Sequence, residues 1–139
     1  MFPPKPPKGA DPRMYFFLFL LTLGTTLGYQ GWTLLYTNFA VESAHLSAAD
    51  NGLVQSLREV PGLLGFLIIP LLLVMKEHRV AAVAALATGL GTALTGFFPS
   101  FVPVILTTLL MSFGFHFFEA VNQSLLLQYF DVRTTPVVI

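Results

Sequence analysis

The chain has 139 residues, of which 55% are hydrophobic and only 10% are charged. An average soluble domain is about 25% charged, and fourteen Phe residues are more than one small core can hide, so the composition argues against a soluble globule. Seven Lys and Arg balance seven Asp and Glu, which offers no basic surface for nucleic acid, and the lack of Cys excludes disulfides, zinc–thiolate sites and thiol nucleophiles.

Residues 1–13 (MFPPKPPKGADPR) read as a polar, Pro-rich cytoplasmic tail. The apolar run after it, about Met14 to Phe39, exceeds the roughly 7–15 residues of a signal-peptide core, so it reads as a first transmembrane helix. It carries Thr22, Thr26, Gln30, Thr33 and Thr37 at spacings of four, four, three and four, which puts them on one stripe. A polar stripe in a span faces a neighbour or a water-filled cavity. Gln30, near mid-bilayer, with Thr26 and Thr33, is the candidate lining of a substrate cavity.

A second span is expected over about residues 51–75, preceded by a capping box of Ser47 and Asp50, with Pro61 and Pro70 inside it. Arg58 lies near its outer end and is expected to be structural, snorkelling outward or pairing with Glu42 or Asn38. Glu59 is turned about 100° away from it. A third span is expected over about 80–98. Its small residues form two rows, Ala85, Gly89, Ala93 and Thr88, Thr92, Gly96, suited to close packing, as are Gly24, Gly28 and Gly31 in the first helix.

The fourth span is expected over about 101–129, with Pro103 in its first turn. His116, Glu119 and Asn122 are three apart and Gln123 follows Glu119 by four, so they share a face. Ionisable residues inside a span are costly and mark pathways or proton relays. Glu119, about 24 Å along the helix from Pro103, is therefore the proton-coupling candidate, and His116, Asn122 and Gln123 join the candidate cavity lining. His116 and Glu119 alone make too few ligands for a metal, so no metal and no cofactor is expected.

Lys5, Lys8, Arg13, Lys76, Arg79 and Arg133 all fall on one side of this arrangement, and the loops on the other side carry no Lys or Arg. The positive-inside rule then places both termini in the cytoplasm. The expected fold is an all-α integral membrane bundle of four helices.

The layout resembles the first third of a major facilitator superfamily transporter. LGTALTGFFPSF and SFGFHFFEAVNQSLLLQYFD look like bacterial members of that family, which implies a bacterial inner membrane. The resemblance covers residues 14–139. The family's loop signature GxLaDrxGRR is matched at Leu72 and Arg79. It departs at Pro70 and Glu77, which replace Gly, and at Val74, which replaces the Asp of a charge relay. GYQGWTLL and GFHFFEAV share Gly, aromatic and polar positions in order. The family's inverted repeats then imply that Gln30 and His116 occupy equivalent cavity-facing places.

The resemblance implies secondary transport of a small solute, with proton coupling through Glu119, by a partial chain completed by further transporter helices or by a second copy. Two other readings compete. One is a non-transporting membrane subunit or an inactive truncated remnant, whose polar faces would be contact surfaces. The other is a small dimeric four-helix multidrug-type exporter, which the uncharged first helix disfavours. No nucleophile–base pair or metal constellation appears, so an enzyme is not expected. The partners implied are the lipid bilayer, a small solute and the completing helices, with no nucleic acid.

Overall fold

The computed structural model describes residues 11–129. Most of the expected cytoplasmic tail, with Lys5 and Lys8, and the C-terminal Arg133 lie outside the described residues. Among the described residues the fold is all helical, with no strand.

Helix α1 runs Pro12–Asn38. Asp11 caps it by accepting the Arg13 N–H at 2.9 Å, and Pro12 fills the first helical position, where its missing N–H costs nothing. The helix widens into a π-helical turn, Phe39–Ser43. His45 ends it in the left-handed region (φ 51°), and the Leu46 N–H reaches back to the Ala40 carbonyl at 2.8 Å. Helix α2, Ala48–Leu63, opens with both hydrogen bonds of the Ser47–Asp50 box, at 3.1 and 3.3 Å. Ser47→Ala is expected to lower stability by about 1 kcal/mol, read from thermal unfolding in detergent; an unchanged midpoint would show that packing alone sets the start of α2.

The second span is not the continuous helix expected over 51–75. A 3-10 turn, Gly65–Leu67, separates α2 from α3, Ile68–Val74, and the two helices are bent by 43°. Pro61 supplies no N–H, and Gly62 and Gly65 follow where the ladder is already weakened, so the helix breaks there. Helix α4, Glu77–Phe97, begins three residues before its expected start, and Glu77 in its first turn faces the positive end of the helix dipole. Helix α5, Phe101–Tyr129, has the expected bounds.

Helices Glu77–Phe97 and Phe101–Leu127 are long and apolar enough to cross a membrane, and the bent α2–α3 pair makes a third if it is one span. They point to a membrane protein. Helix α1 has 27 residues, and its threonines, glycines and Gln30 interrupt its apolar run. Large apolar side chains cover the outside, among them Leu34, Leu73, Val74 and Leu86.

Helix α5 is central, packed against α4, α2 and α1, and α4 also packs against α1. Gly91 and Gly114 set the α4–α5 distance. A Cβ on Gly114 would fall 2.5 Å from the Thr88 nitrogen, and one on Gly91 would fall 2.6 Å from Met111 Cα. The buried face of α4 is Ala81, Ala84, Thr88, Gly91 and Thr95, a row that cuts across the two expected from the sequence. Of the residues in those rows, Thr88 and Gly89 meet Gly28 of α1, and the Thr92 hydroxyl donates to the Gly28 carbonyl at 3.0 Å. Gly24, Gly31 and Gly96 face open space.

Two apolar clusters fill the interior. One joins Leu18, Ala84, Phe118 and Leu125; the other joins Trp32, Tyr36, Val54 and Met111.

Candidate functional site: a polar cavity between α1 and α5

The first half of α1 and the last half of α5 lie side by side around a cavity of about 390 Å³. Thr22 and Thr26, one turn apart on α1, face Glu119, Asn122 and Gln123, which occupy one face of α5. The remaining wall is Tyr15, Leu18, Phe19, Leu23 and Leu126. Asn122 Oδ1 is buried with no hydrogen-bond partner. Among the described residues Glu119 is the one charged side chain of the lining, and no Lys, Arg or His is part of it.

The other candidates lie elsewhere. Gln30 and Thr33 are exposed on α1 beyond the cavity, and the Thr33 hydroxyl turns back to the Tyr29 carbonyl at 2.9 Å. His116 is half-buried against α2: its Cε1 lies 3.1 Å from where a Cβ on Gly62 would be, and its ring meets Phe115 edge-on at 5.4 Å. Gln30 and His116 thus lie in different surroundings in this chain, one exposed on α1 and one against α2. Because α5 packs against both α1 and α2, His116, three residues before Glu119, turns toward α2 instead of the cavity.

Arg58 takes neither of its expected partners. Its Nε donates to Glu59 Oε1 at 2.9 Å, and its guanidinium lies 5.3 Å from the Trp32 ring centre and 5.9 Å from that of Tyr29. Two long side chains on successive residues can swing together across the 100° between their Cα–Cβ bonds. Trp32 stacks on Tyr36 at 4.2 Å, and Tyr29 stacks on Phe115 at 3.9 Å, so the cation is held over an aromatic wall. Ser112 of α5 donates its hydroxyl to the Arg58 carbonyl, tying α5 to α2 beside this wall.

At the other end of α5, the Ser124 hydroxyl lies 3.2 Å from each carboxylate oxygen of Glu77, joining α5 to the start of α4. Among the described residues no group of three or more His, Cys, Asp or Glu is placed to hold a metal.

Sequence reasoning reached the polar part of the cavity and missed its apolar and aromatic part. Tyr15 and Phe19 continue the Thr22–Thr26 stripe at spacings of four and three, so extending the helical row toward the N-terminus would have found them. Comparison of the chain with protein-family models, with curated proteins and with solved structures finds no match.

Proposed function

We propose that the chain is the solute-translocating part of a secondary transporter of the facilitator type, with four spans, both ends on the cytoplasmic side and Glu119 as the group that takes up and releases a proton. The observation that carries this reading is a polar cavity holding a single carboxylate, set between two helices of a bundle whose outside is apolar. A carboxylate inside a span is retained where it serves a pathway. Helix α1 completes the four spans, its polar stripe directed away from lipid.

Gln30, Thr33 and Thr37 are exposed along α1 beyond the cavity, where lipid would give them no hydrogen bonds. This favours a protein surface over them, formed by further helices or by a second copy.

The test is proton flux in proteoliposomes that contain the full chain and trapped pyranine, challenged with pools of sugars, amino acids, organic anions and amines. At least one pool is expected to shift the internal pH, and Glu119→Gln is expected to cut that rate about tenfold or more. Flux that survives the substitution unchanged removes the proton role. No flux with any pool removes the transport reading.

A further inference from the structure

We propose that the cavity between α1 and α5 binds a protonated amine with an apolar body. The proposal deepens the transport reading and rests on it only for the steps after binding.

Charge comes first. Among the described residues Glu119 is the one charged group of the lining, with no Lys, Arg or His beside it. An anion entering this space would meet a carboxylate with no compensating cation, whereas a monovalent cation would neutralise it. The difference grows as water is excluded, because the effective dielectric falls.

The wall then selects an organic cation. Tyr15 and Phe19 stand one turn apart on α1, and Leu18 and Leu126 line the same space. Aromatic faces attract a cation and pack against its carbon skeleton. A bare metal ion would use only the oxygens of Thr22, Thr26, Glu119, Asn122 and Gln123 and would leave this apolar wall uncovered, whereas an organic cation uses both. A volume of about 390 Å³ lies within the range of small-molecule pockets.

The buried acceptor narrows the class further. Asn122 Oδ1 has no donor, and buried polar atoms are almost always paired. Asn122 lines the cavity, and once its amide turns that oxygen inward an ammonium that carries N–H can donate to it while Glu119 meets the charge. A quaternary ammonium can satisfy Glu119 but has no hydrogen to give Asn122. The ligand class is thus a protonated primary, secondary or tertiary amine, and not a quaternary ammonium.

Isothermal calorimetry on the purified full chain in lipid nanodiscs tests this with four probes of one shape: phenethylamine, phenethyltrimethylammonium, 2-phenylethanol and phenylacetate. Phenethylamine is expected to bind. The quaternary analogue and the alcohol are expected to be weaker by about tenfold, the cost of one unmade charge-assisted contact, and phenylacetate is expected to give no saturable heat. Glu119→Gln is expected to weaken the amine about tenfold or more, while Glu119→Asp retains part of the affinity and shows that the site still folds. Asn122→Leu is expected to erase the preference for phenethylamine over its quaternary analogue.

The proposal is overturned if phenylacetate binds as well as the amine, if Glu119→Gln leaves amine affinity unchanged, or if none of the four binds. Amine binding without proton flux in vesicles supports this site and removes the transport reading. Proton flux from another pool, with no amine binding, does the reverse.

Discussion

Alanine at Gly114 will destabilise the bundle by about 3 kcal/mol, the largest loss expected from so small a change. The added Cβ would lie 2.5 Å from both the Ala84 carbonyl oxygen and the Thr88 nitrogen, and 2.7 Å from Thr88 Oγ1. Two of those atoms are backbone, so no rotamer change relieves the clash. Thr88 is fully buried, and its hydroxyl is already committed to the Ala84 carbonyl at 3.0 Å. Helices α4 and α5 must therefore move apart, and the dispersion contacts along their seam are lost together. Gly91→Ala is a second route to the same result, through Met111. Gly89→Ala is the control: nothing lies within 4 Å of its Cβ position, and helix propensity favours Ala by about 1 kcal/mol. Reversible unfolding in mixed micelles reads all three. Equal midpoints for the Gly114 and Gly89 variants would mean that α4 and α5 do not approach this closely.

Trp32→Ala comes next, at about 3–5 kcal/mol. Trp32 is 3% exposed, stacks on Tyr36 and carries Arg58 over its other surroundings. Truncation empties the centre of the second apolar cluster and removes one of the two rings under the guanidinium, leaving Tyr29. Trp32→Phe should cost less than about 1.5 kcal/mol. It keeps a ring against Tyr36 and removes the indole N–H, which is buried without a partner. The same unfolding measurement separates the two. A phenylalanine variant as weak as the alanine variant would show that the indole N–H is satisfied in the membrane, by water, lipid or ligand.

These two sites also show what the sequence conveyed and what it did not. The start of α2 was legible because Ser47 and Asp50 form a local device whose partners are three residues apart. The bounds of α5 were legible because Pro99 and Pro103 punctuate a long apolar run. The polar side of the cavity was legible because helical spacing gathers Thr22 with Thr26, and Glu119 with Asn122 and Gln123, whatever the helices pack against.

Facing relations between helices were not legible. Small-residue spacing fits several rows of α4 equally well, and only the arrival of Met111 and Gly114 selects the row through Ala84, Thr88 and Gly91. The same limit sent Gln30 and His116 to the cavity in the sequence reading, because a stripe does not say where along its length the neighbouring helix departs. The pairing of Arg58 with Glu59 was missed for a different reason. Backbone periodicity describes where Cβ atoms point and says little about the ends of long, flexible side chains.

The break at Gly65–Leu67 has a mechanical consequence. Helix α2 is gripped by α5 through Ser112 and His116, whereas α3 only rests the half-buried Ile68, Leu71 and Leu72 against the first apolar cluster. A bent rod held tightly along one arm and loosely along the other transmits torque poorly. Rotation of α5 would be handed to α2 and largely dissipated at the joint. Helix α3 could then follow the turn at Met75–Lys76 and the start of α4, where Glu77 answers to Ser124. The two ends of the bundle are thus coupled to α5 by separate fastenings, so that one can loosen while the other holds.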